Sequence, residues 1–232
     1  KVLQLICQKL QLPAADGIYH LSYGMVELPT GKMKSREGTV VDADDLLDEM
    51  EAVARQQTEA LGKVKDFSED ELQQLYRTLA LGALKYYLLR VDPKKKMIFN
   101  PEESIDFHGH TGPFIQYTYA RIRSILRKEP VNTAALLTAG SEPLLPLERE
   151  LLIALENYPA AVAEACAAHD PSHIANYVYH LAKTYNSFYA EHSVMQAETP
   201  AKKTLRLGIC AFTAQVIASA MQLLGIAVPE RM

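Results

Sequence analysis

Apolar positions recur at helical spacing along most of the chain, and the gaps between runs carry proline, glycine or a capping residue. Residues 1–11, with Val2, Leu3, Leu5, Ile6 and Leu10, read as a helix, and Ile18 to Leu28 as a strand whose Gly24 needs a permissive backbone. Pro29-Thr30-Gly31 forms a turn, and Thr39-Val40-Val41 a short extended piece. Asp42 can cap a helix carrying Leu46, Leu47, Met50, Val53, Ala54 and Leu61, while Ser68 and Glu71 make a capping box for a helix through Leu72, Leu75, Leu79 and Leu88. Val91 to Phe107, interrupted by Pro93 and Pro101, reads as an irregular or extended connector. Four stronger helices follow: Pro113 to Lys128, Pro146 to His169 with a break at Pro159, Pro171 to Tyr189, and Pro200 to Leu224. Each opens on a proline, whose missing N–H costs nothing in a first turn. Thr199 and Asp170 are the expected N-caps and Gly225 a C-cap, and Ile115, Tyr119, Ile122 and Leu126 form one inward stripe. The expected class is mainly α: a region of few strands, residues 1–111, then an all-α bundle, residues 112–232.

With 232 residues, 48% of them hydrophobic, the chain can bury a sizeable core. Leu207 to Val228 holds no charged residue and has the length of a membrane span, but Thr213, Gln215, Ser219 and Gln222 recur along one side, so a buried core helix is expected and no membrane partner. The chain starts directly into an apolar helix, with no initiator Met and no cleavage site, which reads as a fragment without a secretory signal. Cys7, Cys166 and Cys210 stand far apart, giving neither a disulfide framework nor a zinc knuckle; a reduced, cytoplasmic setting fits. A formal charge of −4 argues against indiscriminate coating of nucleic acid, so any such contact must come from local basic patches.

The segment Gly31-Lys32-Met33-Lys34-Ser35-Arg36-Glu37-Gly38 sets three cations and a hydroxyl within five positions between two glycines. Such a loop suits a polyphosphate whose charge grows in a transition state. A solvated basic loop is the commoner outcome for a short charge run, and charge alone leaves that alternative open. His169, His173 and His180 gather near one helix junction without further ligands, so no metal site is expected and capping or surface roles fit them. Lys94 to Lys96 reads as a solvated linker.

In its setting the loop resembles the second signature, K-M-S-K-S, of class I aminoacyl-tRNA synthetases. His20-Leu21-Ser22-Tyr23-Gly24-Met25-Val26 before it and Asp42-Ala43-Asp44-Asp45-Leu46-Leu47 after it are similar to the arginyl branch. Gly109 to Tyr117, running into Ala120-Arg121-Ile122-Arg123-Ser124-Ile125-Leu126, resembles the start of that family's anticodon-binding bundle. Tyr185-Asn186-Ser187-Phe188-Tyr189 and Leu224 to Met232 complete a resemblance that spans the chain. It implies the C-terminal remnant of a class I Rossmann catalytic domain, followed by an all-α anticodon-binding bundle. Lys32 matches the first Lys of the signature, Met33 its Met and Lys34 its first Ser, while Ser35 and Arg36 depart from the second Lys and Ser. A one-residue slip would align Lys34 with that second Lys. The first signature, of H-I-G-H type, is absent, and His108-Gly109-His110 has the wrong spacing and position to replace it.

The resemblance implies an arginine–tRNA ligase using ATP with Mg2+, L-arginine and tRNA(Arg), cytoplasmic and monomeric, with the fragment inactive on its own. It makes Lys32 and Lys34 the catalytic cations, Met33, Ser35 and Arg36 further ATP contacts, and His20 a lining of the adenosine pocket. In the bundle, helix faces would receive the anticodon stem and loop. Arg121, Arg123, Arg127 and Lys128 lie on one helix with no acid until Glu129, and Arg123 and Arg127 form an i, i+4 pair able to meet phosphates. Tyr117, Phe188, Tyr189 and Met232 are the candidates for contact with unstacked bases, although each ring is as readily a core residue and the cations a solvated face. Two alternatives remain: a non-catalytic helical RNA-binding or scaffold protein, which has no use for the cationic loop, and a cysteinyl-type synthetase, whose zinc-binding cysteines the scattered three do not supply.

Overall fold

The computed structural model describes residues 1–27, 29, 42–60, 62, 66–132, 134, 136 and 143–232. Among these, nine α-helices carry the fold: α1 (Val2–Lys9), α2 (Ala43–Ala60), α3 (Glu69–Leu89), α4 (Pro101–Ser104), α5 (Gly112–Lys128), α6 (Pro146–Glu156), α7 (Tyr158–Ala168), α8 (Ser172–Glu191) and α9 (Pro200–Leu223). Two short parallel strands, β1 (Val26–Glu27) and β2 (Met97–Ile98), pair in the register Val26 with Met97 and Glu27 with Ile98.

Helix starts follow the capping chemistry of the sequence. Ser68 Oγ accepts from Glu71 N–H and Glu71 Oε2 from Ser68 N–H, the reciprocal box expected at the head of α3. Asp42 accepts from Asp44 N–H, and Thr199 from Lys202 N–H at the head of α9. Asp170 accepts from Ser172 N–H but stands one residue outside the helix, because Pro171 occupies the N-cap. The expected break at Pro159 falls two residues earlier, at Asn157, so that Pro159 sits in the first turn of α7, where its missing N–H is harmless. Gly225 ends α9 with φ +67°.

The expected strand over residues 18–28 is shorter. Only Val26 and Glu27 find a ladder partner among the described residues, and Ile18 to Met25 runs as irregular chain. Gly24 has an ordinary φ; its need is for space, because a Cβ there would overlap the Lys95 carbonyl.

Two apolar cores meet along α3. Tyr87, Leu75, Leu79 and Ala83 join Met50, Phe99, Ile105 and Phe107 in the first core. Tyr86 turns to the second, with Ile115, Ile122, Leu151, Val178, Tyr185, Ile217 and Met221. At the junction α3 crosses α5 closely: a Cβ on Gly112 would overlap the Gly82 carbonyl, and Gln116 donates to both Thr78 O and Ala227 O. The apolar α9 is a core helix packed on α5, α6 and α8, with Ile209, Val216, Ile217 and Met221 buried. Gln215, Ser219 and Gln222 face outward as expected, whereas Thr213 is buried with no partner for its hydroxyl among the described residues.

Beneath α9 lies a buried ionic cluster. Glu148 and Arg206 have no exposed surface; Glu148 accepts from Arg206 Nε at 2.8 Å and Lys202 Nζ at 2.6 Å. Arg206 also donates to Ser193 O and Glu198, fixing the connection between α8 and α9. Burial alone would raise the Glu148 carboxyl, but hydrogen bonds from Lys202, the Leu145 N–H and Arg206 outweigh it and hold it below the usual carboxylate range.

The last eight residues are strapped across the helices. Lys85 donates to Gly225 O, Tyr119 and Arg123 to the Glu230 carboxylate, Arg127 to Glu230 O, and Arg231 to Glu71.

Candidate nucleic-acid interface

Helix α5 presents one strip outward. Tyr117, Arg121, Ser124 and Lys128 recur at spacings of three and four, so they share a face, and Arg127 flanks it. Opposite stand Tyr189 and Ala190, at the end of α8, and Met195 beyond it. The chain end supplies Arg231 and Met232, and the approach to α3 supplies Asp66 and Phe67. Together they line an open groove of about 780 Å³ with four cationic side chains and one acidic side chain, Asp66, on its walls. Among the described residues, a comparable opening between α2 and α3, about 620 Å³, is lined by two acids, Glu51 and Asp70, and two bases, Arg55 and Arg77. It has no net attraction for an anion; the α5 groove has one.

The centre of the groove holds the Arg121 guanidinium against two rings and an amide. Arg121 Nη1 donates to Asn186 Oδ1 at 2.8 Å, and its Cζ lies 4.8 Å from the Tyr117 ring centroid and 5.4 Å from that of Tyr189. Asn186 spends its amide hydrogens on Thr118 Oγ1 and Ala182 O, which turns its oxygen toward Arg121. Tyr189 is 39% exposed, Lys128 is exposed, and Tyr117 and Met232 are half-buried. Arg231 lies over the Phe67 ring at 4.4 Å. A cationic, ring-lined groove of this kind binds the phosphates and the unstacked bases of a single-stranded loop.

Of the eight residues expected to contact RNA, Tyr117, Arg121, Arg127, Lys128, Tyr189 and Met232 line this groove. Two do not. Phe188 has no exposed surface and packs in the core beside Tyr185, so it has no face to offer a base. Arg123 points to another side of α5, where Glu230 takes it in an ion pair of 2.7 Å. That pairing, with the Tyr119 hydroxyl, offsets burial and keeps the Glu230 carboxyl below its usual range.

Residues 115–232 match the family described as the DALR anticodon binding domain, and residues 1–100 match the tRNA synthetases class I (R) catalytic domain. The arginine–tRNA ligase of Flavobacterium psychrophilum is 56% identical over the whole chain, which covers 38% of that protein. That of Amoebophilus asiaticus is 50% identical, again over the whole chain and 39% of its own length. The Thermus thermophilus arginyl-tRNA synthetase structure superposes with a TM-score of 0.87 at 30% identity, over 99% of this chain and 38% of that one. The chain belongs to the arginyl-tRNA synthetase family. It spans about two fifths of the length of these relatives.

Of the residues that the family resemblance nominates for ATP, Lys32, Met33, Lys34, Ser35 and Arg36 lie outside the described residues. His20 is exposed on the irregular segment ahead of β1. The sequence reading of this arginyl-tRNA synthetase family chain overlooked Phe67, Asn186, Met195 and Arg231. Asn186 and Arg231 stood inside motifs already noted, beside Phe188 and Met232; Phe67 and Met195 carried no local signal.

Proposed function

We propose that this chain is part of an arginine–tRNA ligase, in which ATP with Mg2+ activates L-arginine and the arginyl group passes to tRNA(Arg). Residues 1–111 are the end of its catalytic domain and residues 112–232 its anticodon-binding bundle. In that scheme Lys32 and Lys34, with Arg36, meet the ATP phosphates, Met33 and Ser35 complete the loop, and His20 faces the adenosine. Tyr117, Arg121, Arg127, Lys128, Tyr189 and Met232 take the anticodon loop in the α5 groove, where cations position the phosphates and rings accept bases. In this reading the setting is cytoplasmic and the protein a monomer.

The observation that carries this reading is the groove itself: residues distant in sequence, each suited to phosphate or to base, converge on one cationic cleft. The test is binding of the chain to arginine tRNA and to an anticodon-substituted version across a salt series, which separates phosphate contacts from base readout. The expected result is several-fold weaker binding of the substituted tRNA at equal salt. Equal binding of both, or of neither, would overturn the assignment of the groove as a reader.

A further inference from the structure

Residues 226–232, which follow α9, form no helix or strand, so side chains reaching them from α3 and α5 set their course. Lys85 takes the Gly225 carbonyl and Gln116 that of Ala227. Further on, one oxygen of the Glu230 carboxylate accepts from the Tyr119 hydroxyl at 2.9 Å and the other from Arg123 Nε at 2.7 Å, while Arg127 takes the Glu230 carbonyl at 2.8 Å. Tyr119, Arg123 and Arg127 stand four residues apart, so one line along α5 grips Glu230 by its side chain and its backbone. The Tyr119 ring is buried in the second core, which fixes its hydroxyl in place. The two residues after Glu230, Arg231 and Met232, are the ones that enter the α5 groove.

Tyr119, Arg123 and Glu230 are not among the residues that line the groove. Whatever they do for RNA must therefore pass through Arg231 and Met232. Arg231 is otherwise held by an ion pair to Glu71 and by the Phe67 ring, and Met232 packs half-buried against the first core. A carboxylate bonded on both oxygens by donors one turn apart is fixed in place and in rotation, which a single exposed pair does not achieve. We propose that Tyr119, Arg123 and Glu230 act together as positioning residues, seating Arg231 and Met232 in the groove wall and so setting its affinity for RNA without touching the RNA. The inference rests on the reading of the groove as an anticodon-loop site. The Arg123 and Glu230 side chains are 39% and 55% exposed, which limits the size of the effect to that of a networked surface pair.

The test follows the ε-methyl group of Met232 by NMR in methyl-labelled chain, its resonance assigned with Met232→Ala, beside binding of the arginine-tRNA anticodon stem-loop by fluorescence anisotropy. Glu230→Ala removes both acceptors, and Tyr119→Phe removes one hydroxyl while keeping the ring that the core needs. Both should move the methyl resonance toward its unfolded-chain position, and they should weaken the stem-loop about fivefold and about twofold respectively. The slope of affinity against salt should not change, because no phosphate contact is lost. In a chain carrying Arg231→Ala and Met232→Ala, neither substitution should weaken binding further, since nothing is left to position. If Glu230→Ala leaves the Met232 methyl at its wild-type position, or displaces it without weakening the stem-loop, the positioning role is wrong and the groove reading stands. If Arg123→Gln lowers the salt slope by about one and still weakens binding in the double-alanine chain, Arg123 is itself a phosphate contact and the proposal is overturned. If wild type binds the cognate stem-loop no better than one of unrelated anticodon, the groove reading fails, and this inference falls with it even where the methyl is displaced.

Discussion

Arg206→Met isolates the energetics of the buried ionic cluster. Arg206 and Glu148 are fully buried, with Nε–Oε1 at 2.8 Å, and Arg206 holds Ser193 O and Glu198 besides. Methionine approximates the length of the side chain but leaves Glu148 with Lys202 and the Leu145 N–H, and leaves Ser193 O unpaired. Removing one partner of a buried pair costs about 3–5 kcal/mol; because Lys202 still neutralises Glu148, we take about 3 kcal/mol. For a chain of this size that lowers Tm by roughly 6–12 °C, measured by far-UV circular dichroism at neutral pH. Replacing the cluster whole, with Glu148→Leu, Lys202→Met and Arg206→Met together, should recover more than half of the loss, since no charge is then stranded. The pH dependence has a definite sign. The folded Glu148 carboxyl lies below its unfolded value, so its contribution is full above about pH 4.3 and disappears as pH falls through the folded value. A variant melting within about 2 °C of wild type, less than 1 kcal/mol at this size, would refute the reasoning.

Arg121→Lys keeps the charge but loses the flat guanidinium between Tyr117 and Tyr189; affinity for the anticodon stem-loop should drop about tenfold with the salt slope unchanged. Gly112→Ala drives a methyl into the Gly82 carbonyl and should cost about 1–3 kcal/mol in urea unfolding, whereas a neutral result would mean that α3 and α5 have room to separate. Thr199→Ala removes the cap of α9 and should cost about 1 kcal/mol in the same assay. Burial pushes the Cys210 thiol up to about 11, while Cys166 is exposed; under native conditions at mildly alkaline pH a thiol reagent should label Cys166 and reach Cys210 only on unfolding.

Much of this fold is legible in the sequence because its devices are local. A proline in a first turn, a Ser–Glu box and a threonine cap all act within four residues, and α3, α5, α8 and α9 begin within a residue of where those signals put them. The groove is half legible for the same reason: Tyr117, Arg121 and Lys128 share one helix face, but Phe67 and Arg231 reach it only through tertiary packing. Phe188 is instructive, since Ile174, Val178, Leu181, Tyr185 and Phe188 recur at spacings of four and three and are all buried. The period assigned it to the core, and its neighbour Tyr189, a turn of about 100° away, to the surface. The ionic cluster was not legible: Lys202 and Arg206 look like the solvated first turns of α9 until Glu148, more than fifty positions earlier, is folded against them.

Helix α3 is the member that makes the proposed 111/112 division a boundary of sequence and not of mechanics. Its 21 residues reach roughly 31 Å, with Tyr87 serving one core and Tyr86 the other, so it works as a common axle and not as a hinge. At its far end Arg90 grips His110 O; at its near end Glu71 tethers Arg231, beside the groove. A bundle expressed from residue 112 onward would lose its anchorage at Gly82, Tyr86 and Lys85 together, and with it the clamp on the chain end that borders the α5 groove. Conversely, because one helix is packed in both cores, the groove residues Phe67 and Arg231 take their places from the same rod that orders the upstream body.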